Sequence, residues 1–232
     1  DGTIDRFVVH RSYGTEHPRV AEIPLGCPEY ETTESRVDLR RRLELPQDRL
    51  VVTTIGFLSR WKRTAEAIDV LLAHLAPDVY LQVLTPHPFQ GHETREEVRI
   101  RDVLARHSAS ADRVLFSTEF RTERDLLDRV HASDLGFLYH GQDTGSVSAA
   151  TKSFVSGRTP LVATGSTHAS DLGEGVARVD SFDLGHFIAK VVQLSGDEGA
   201  RTALRAGMER EYARLHMDAI ARRYLACFGG LS

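Results

Sequence analysis

The fold is decided by the stretch VVTTIGFLSRWK at residues 51–62 and by the apolar helical pattern that begins at Thr64. Residues 50–55 are β-branched and almost continuously apolar, which is typical of a strand buried on both faces. Gly56 ends this strand, and the helix that follows places its apolar residues along one stripe. A strand, a polar turn and a helix in this order predict one unit of an α/β fold.

A second unit of the same kind begins with the apolar run at residues 134–139. It continues with the polar turn GQDTGSVS at residues 141–148 and a helix at 148–156. The other predicted strands are residues 6–10, 19–23, 79–84, 113–116, 159–164 and 176–179, and the other predicted helices are 33–45 with Thr33 as N-cap, 93–107, 123–132 and those between 183 and 228, broken near 195–197 and 216. This alternation predicts an α/β fold: a Rossmann-like parallel sheet with helices on both faces. Spacing alone does not predict the strand order.

The composition is that of a soluble globular protein of 232 residues, with 41% hydrophobic and 27% charged residues. The formal net charge of -4 provides no global basic surface, so we expect no nucleic acid as a partner. No apolar run approaches the roughly 20 residues that span a bilayer, and we expect a cytoplasmic protein. Cys27 and Cys227 stand far apart, which favours free thiols, and no histidine motif indicates a metal. We therefore predict neither a metal site nor a cofactor.

The first polar turn carries residue types that bind phosphate. Gly56 lets a ligand approach the backbone closely, and Ser59 offers a hydroxyl group. Arg60 offers a forked donor and Lys62 a compact charge, both at the carboxyl end of a strand, where open α/β sheets bind ligands. The turn predicts a diphosphate site. A chain reversal at Gly56 followed by two solvated charges explains the same residues.

The second polar turn is rich in glycine and serine. Gly145, Ser146 and Val147 are predicted to present backbone N–H groups to phosphate at the start of a helix. Ser148 and Lys152 are placed in the same site, although Ser148 is equally explained as an N-cap and Lys152 as a solvated charge. Neither Gly-x-x-x-x-Gly-Lys-Ser/Thr nor Gly-x-Gly-x-x-Gly occurs, so a Walker-type site and a dinucleotide fold are not indicated.

The loops after two further strands are candidates for contact with a nucleoside. Glu119 and Phe120 follow the strand at 113–116, where backbone groups pair with a base and Phe120 packs on it. Thr85 ends the strand at 79–84, at the same edge of the sheet. A position of Phe120 in the core is an equally good explanation of that residue.

The order of five motifs resembles that of a known enzyme family. The motifs are Pro24-Leu25-Gly26, LRRRLELP at 39–46, GFLSRWK at 56–62, ASDL at 132–135 and PLVAT at 160–164. Together they resemble the C-terminal, donor-binding half of GT-B fold glycosyltransferases, in the large retaining group called glycosyl transferases group 1. The resemblance spans roughly residues 20 to 228.

The resemblance implies a function and a domain organisation. It makes residues 19–232 a domain that binds a nucleotide-diphosphate sugar, and residues 1–18 the end of a preceding domain or a linker. The implied reaction is a metal-independent, retaining transfer of the sugar to an acceptor, which is a sugar, a lipid-linked sugar or a protein. The implied partner is an N-terminal GT-B half, in the same chain or in another subunit.

Three positions depart from the family pattern. Lys62 matches the phosphate-binding lysine, but Phe57 stands where the family has arginine. The two family glutamates fall at Gly145 and Ser153. These departures favour one alternative, a non-catalytic nucleotide-sugar-binding or protein-interaction module. Another GT-B enzyme, such as a sugar-nucleotide epimerase, needs paired carboxylates.

Overall fold

A parallel sheet of six strands forms the centre of the protein in the computed structural model, which describes residues 7–10, 19–88, 95–143, 145, 147–165 and 167–229. The strands of this sheet are β3 (Leu50–Ile55), β4 (Val79–Leu84), β5 (Val114–Ser117), β6 (Leu135–Leu138), β7 (Leu161–Thr164) and β8 (Val176–Val179). Their order is β5-β4-β3-β6-β7-β8. The order reverses direction between β3 and β6, so ligands are expected at the carboxyl ends of these two strands.

Eight α-helices surround the sheet in the described part of the chain. They are α1 (Arg36–Arg42), α2 (Thr64–His74), α3 (Arg95–Arg106), α4 (Glu123–His131), α5 (Ala149–Ser156), α6 (Leu184–Ser195), α7 (Glu198–Leu215) and α8 (Met217–Gly229). One apolar core lies between the sheet and α2, α3 and α6, and a second lies between the sheet and α4, α5, α7 and α8. The α/β class with helices on both faces is confirmed.

The amino-terminal edge of the sheet is held by one carboxylate. Asp134 accepts a hydrogen bond from the backbone N–H of Val51 at 2.7 Å, which ties the starts of β3 and β6 together. The guanidinium groups of Arg36 and Arg40 lie 2.9 and 2.5 Å from the same carboxylate. These cations lower the pKa of Asp134 against the effect of its burial. The Ala-Ser-Asp motif is therefore structural and lies far from the ligand edge.

Most element boundaries agree with the predictions. Residues 50–55, 79–84 and 176–179 are strands as predicted, and the last helices break after Ser195 and at His216. The predicted N-cap at Thr33 is wrong. Helix α1 begins at Arg36 because the hydroxyl of Ser35 accepts a hydrogen bond from the backbone N–H of Asp38 at 3.2 Å.

The first two predicted strands form a small sheet of their own. Strand β1 (Phe7–Val9) pairs in parallel with β2 (Val20–Glu22). The predicted domain boundary near residue 18 stays a prediction. Cys27 and Cys227 are buried and form no disulfide with each other. No helix in the described ranges combines the length and apolarity that crossing a membrane requires.

Candidate functional site

The turn after β3 folds back on itself at the carboxyl edge of the sheet. Gly56 has φ 108°, and its N–H donates to the carbonyl of Leu84. A short 3-10 turn over Arg60–Lys62 follows, and Arg63 at φ 47° begins α2. The side chain of Lys62 returns toward β3, where its Nζ donates to the carbonyl oxygen of Phe57 at 3.0 Å.

A cleft of about 330 Å³, called here the central cleft, opens beside this turn. Its walls come from the ends of β3 and β4, the loop after β5 and the start of α5. The lining residues are Ile55, Gly56, Phe57, Lys62, Leu84, Pro86, Glu119, Phe120, Arg121, Leu126, Ser148, Ala149, Ala150 and Ser153. We call the part of the lining around Lys62 its cationic end and the part around Phe57 and Phe120 its aromatic end.

Lys62 and the start of α5 form the cationic end. A Cβ on Gly56 would lie 2.8 Å from Lys62 Nζ and 3.7 Å from the Cβ of Ala150, so these three residues converge. Burial lowers the pKa of Lys62 to about 8, and no carboxylate in the described residues pairs with it. The first amides of a helix have no partner inside the helix. Ser148 makes no side-chain capping bond to those of α5.

Phe57 and Phe120 form the aromatic end. Their ring centroids are 6.4 Å apart, with planes inclined by only 27°. Phe57 is 47% exposed and Phe120 is 67% exposed, so neither ring belongs to the core. The alternative that placed Phe120 in the core is therefore wrong. The carboxylate of Glu119 stands at the rim, largely exposed, 3.4 Å from Arg121.

A second, larger cleft lies on the other side of the 3-10 turn, and we call it the arginine cleft. Its volume is about 1020 Å³. The lining residues are Leu58, Ser59, Arg60, Trp61, Arg63, Glu66, Arg95, Glu96, Arg99, Gly141 and Gln142. Lys62 thus faces the central cleft, whereas its neighbours Ser59 and Arg60 face the arginine cleft.

Comparison with solved structures identifies the fold of the chain. HepE of Anabaena, solved with UDP and glucose, matches with a TM-score of 0.73 at 17% identity, over 94% of this chain and 59% of that one. Sucrose-phosphate synthase of Thermosynechococcus elongatus matches with a TM-score of 0.70 at 20% identity, over 94% of this chain and 54% of that one. The glycosyltransferase WaaG matches with a TM-score of 0.68 at 15% identity, over 93% and 57%.

The chain has the fold of the C-terminal half of a GT-B glycosyltransferase. It spans little more than half the length of these structures. A scan of protein-family models and a search of curated proteins found no match. The GT-B half carries, in this chain, its own set of residues at the ligand edge.

Five of the predicted site residues line the central cleft of the GT-B half. They are Gly56, Lys62, Glu119, Phe120 and Ser148. Ser153, where the family resemblance expects a glutamate, also lines this cleft. The structure thereby brings together residues that follow three different strands, β3, β5 and β6, at one edge.

The remaining predicted residues lie elsewhere. The Nζ of Lys152 is 2.5 Å from the carboxylate of Asp171, in an ion pair whose side chains are 1% and 5% exposed. Thr85 is also buried, and its hydroxyl has no partner in the described residues. The N–H of Gly145 donates to Asp143. Neither Lys152 nor Thr85 lines the central cleft, because both side chains turn into the protein.

Two further residues are predicted to bind phosphate through their backbone N–H groups. Val147 does not line the central cleft in the described structure, and Ser146 lies outside the described residues. In the same described ranges, no group of three or more histidine, cysteine, aspartate or glutamate side chains is placed to hold a metal ion.

Three aromatic rings stack behind the turn, and no sequence motif indicates them. His140 and His168 lie with ring centroids 3.9 Å apart, and Trp61 lies 5.2 and 5.6 Å from them. Burial, with His168 and Lys62 nearby, lowers the pKa of His140 to about 3, so its imidazole is neutral. Trp61 thereby packs on both histidines, and the Nζ of Lys62, the next residue, lies 5.5 Å from the centroid of its ring.

Proposed function

We propose that this chain binds a nucleotide-diphosphate sugar in the central cleft and supports transfer of the sugar to an acceptor. The observation that carries the proposal is the polarity of the cleft, with Lys62 at one end and two exposed phenylalanine rings at the other. A nucleoside diphosphate has the same polarity, with a planar base at one end and phosphates at the other. The fold of nucleotide-sugar enzymes supports the proposal.

The diphosphate is proposed to bind at the cationic end. Lys62 supplies the positive charge, and Gly56 leaves room for the phosphates to approach the backbone. The uncapped amides of α5, at Ala149 and Ala150, donate to the phosphate oxygens. Because Lys62 lacks a carboxylate partner in the described residues, its charge is available to a bound anion.

The nucleoside is proposed to bind at the aromatic end. The base stacks on Phe120 and Phe57, and Glu119 accepts a hydrogen bond at the rim of the cleft. Ser148 and Ser153 also line the cleft, and their hydroxyl groups are proposed to contact the ribose. No metal ion takes part in this arrangement.

Catalysis by such a site rests on positioning the donor and stabilising the departing diphosphate. Lys62 and the amides of α5 supply that stabilisation. The retaining, metal-independent course is the one that the family resemblance implies. An N-terminal GT-B half, in the same polypeptide or in a partner subunit, is proposed to contribute to binding of the acceptor.

A second candidate function is a module that binds a nucleotide sugar without turning it over. Phe57, Gly145 and Ser153 favour it, because they replace the arginine and the two glutamates of the family pattern. The two candidates share the central cleft and differ only in turnover. Release of sugar from the donor, followed with the partner half present, distinguishes them.

Calorimetric titration without added metal tests the shared proposal. UDP, GDP, ADP and their sugar conjugates are titrated into the wild-type chain and into Lys62→Ala. We expect micromolar binding of at least one series and a loss of roughly tenfold or more in the variant, since a hydrogen bond to a charged group contributes about 1.5–3 kcal/mol. The control is Lys190→Ala, on the exposed side of α6. Absence of binding, or equal affinity in Lys62→Ala, contradicts the proposal.

A further inference from the structure

We infer that the arginine cleft binds the phosphate group of a phosphorylated sugar, which acts as the acceptor. The inference starts from two guanidinium groups. Arg60 and Arg95 are exposed and both line this cleft. Neither guanidinium group makes a hydrogen bond or an ion pair with any residue that the structure describes. Nothing in the proposed donor site uses them.

The charge of the cleft sets it apart from the rest of the chain. Four arginines line it beside only two glutamates, whereas the whole chain has a formal net charge of -4. Both glutamates pair with arginine, although Glu66 Oε2 is buried without a hydrogen-bond partner in the described structure. Glu96 accepts from the N–H of Ala65 at 3.0 Å and pairs with Arg99, and Glu66 lies 2.6 Å from the same guanidinium.

The charges of Arg60 and Arg95 are therefore uncompensated. Arg63 lies 3.7 Å from Glu66, so the paired half of the lining holds Arg63 and Arg99 in place. A hydroxyl adds to the open half of the cleft: Ser59 Oγ is buried and has no hydrogen-bond partner in the described structure. A buried polar atom without a partner is costly, and a bound ligand oxygen satisfies it.

Two guanidinium forks and a hydroxyl match the chemistry of a phosphate monoester. Arginine binds phosphate through paired N–H donors, and the dianion offers oxygens to both side chains. A nucleic-acid backbone is a poorer candidate, because the chain as a whole has a formal net charge of -4. The volume of about 1020 Å³ accommodates a sugar as well as its phosphate.

The position of the cleft identifies the ligand as an acceptor. A single 3-10 turn, Arg60–Lys62, separates it from the central cleft, with Lys62 on one side and Arg60 on the other. A sugar held on the Arg60 side lies beside the donor held on the Lys62 side. The role as acceptor rests on the proposed donor function, whereas binding of the sugar phosphate is independent of it.

The test uses the full chain and three probes: glucose 6-phosphate, glucose and inorganic phosphate. Each is titrated calorimetrically into the wild-type chain, Arg95→Gln and Arg60→Gln. The matched control is Arg106→Gln, an exposed arginine on the same helix that does not line the cleft. Circular dichroism checks that each variant is folded. We expect all three variants to fold, because the side chains that are replaced are exposed.

We expect glucose 6-phosphate to bind at least about tenfold more tightly than either glucose or inorganic phosphate, because both parts of the molecule are contacted. Arg95→Gln and Arg60→Gln should each weaken its binding by about tenfold or more, and Arg106→Gln should not. The inference is overturned if glucose 6-phosphate does not bind, if glucose or inorganic phosphate binds as tightly, or if both cleft variants match the wild type.

A parallel titration with UDP separates this inference from the donor proposal. Binding of glucose 6-phosphate without binding of any nucleotide supports the arginine cleft and contradicts the donor function and the acceptor role. Binding of UDP without binding of glucose 6-phosphate supports the donor function and overturns the inference.

Discussion

The ammonium group of Lys62 occupies the space that a side chain on residue 56 would need, since a Cβ on Gly56 would lie 2.8 Å from Nζ. Gly56 also has φ 108°, a backbone conformation that other residues rarely adopt. The two residues therefore depend on each other: the absence of a side chain at Gly56 leaves the space that the Lys62 ammonium group occupies.

Replacing Gly56 with alanine should damage both stability and binding. We expect Gly56→Ala to lose about 1–3 kcal/mol of unfolding free energy from backbone strain. Displacement of Lys62 should weaken nucleoside diphosphate binding as well. Urea denaturation and calorimetry measure the two effects. Gly199→Ala, in helix α7, is the control and should bind normally, because a Cβ there would meet only Asp197 Oδ1, in ordinary contact at 3.6 Å. Unchanged nucleotide affinity in Gly56→Ala would show that the position of the Lys62 ammonium group does not depend on Gly56.

Binding of a nucleoside diphosphate should weaken as the pH rises above about 8, the pKa of Lys62 in the free protein. The bound phosphates favour the charged ammonium and raise its pKa, so binding at higher pH requires uptake of a proton. Affinity should be level below pH 8 and fall by up to about tenfold per pH unit above it. Calorimetry from pH 7 to pH 10 measures this. Lys62→Arg stays charged throughout, so a fall of the same size in that variant counts against the assignment.

Lys62 should also destabilise the protein when no ligand is bound. Its pKa is lowered from 10.5 to about 8 on folding, so the folded state binds fewer protons than the unfolded state between these values. Stability from this group therefore rises with pH across that window and is lowest below pH 8. Lys62→Met should raise the melting temperature at pH 7, and the gain should shrink toward pH 10.5. A gain in melting temperature that does not depend on pH would show that the effect comes from packing and not from the charge of Lys62.

The two exposed phenylalanines should control binding of the base but not of the phosphates. Stacking of a base on an aromatic side chain contributes about 1–3 kcal/mol, so Phe57→Ala and Phe120→Ala should each weaken nucleoside diphosphate binding roughly 5- to 100-fold. Binding of inorganic pyrophosphate should change less than twofold in comparison. Phe228→Ala is a matched control, because Phe228 stacks on Tyr224 at 6.3 Å and 22° on helix α8. Equal losses for pyrophosphate would rule out a contact with the base.

Lys152 should matter for stability and not for ligands. Its removal leaves Asp171 buried without a counter-ion, which typically costs about 3–5 kcal/mol. Lys152→Met should therefore unfold at much lower denaturant concentration while nucleotide affinity stays within about twofold of the wild type. Lys152→Met with Asp171→Leu should recover part of the loss. A large fall in nucleotide affinity in the folded variant would show that Lys152 contributes to the nucleotide site.

The fold was predictable because its signals are local. Residues 50–55 are apolar or β-branched throughout, and the break after Ser195 is followed by a new helix cap at Asp197. The proximity of Gly56 and Lys62 follows from their place in one short turn. Local sequence therefore predicted the class, most boundaries and the cationic end of the central cleft.

The rest of the site depends on contacts between distant parts of the chain. Phe57 and Phe120 meet because β3, β4 and β5 are neighbours in the sheet, an order that spacing does not reveal. Lys152 turns inward because Asp171, beyond β7, lies beneath its helix. Arg60 and Lys62 face opposite sides because a 3-10 turn rotates each residue by about a third of a circle.

Because helix α5 lacks a side-chain cap, its first backbone amides report whether the central cleft is occupied. Ser148 leaves the amides of Ala149 and Ala150 open toward the central cleft. Amides in this state exchange their hydrogens with water readily, whereas amides that donate to a bound phosphate do not. The hydrogen-exchange rates of these two backbone positions therefore report the occupancy of the cleft, and mass spectrometry of deuterium uptake can follow them without turnover.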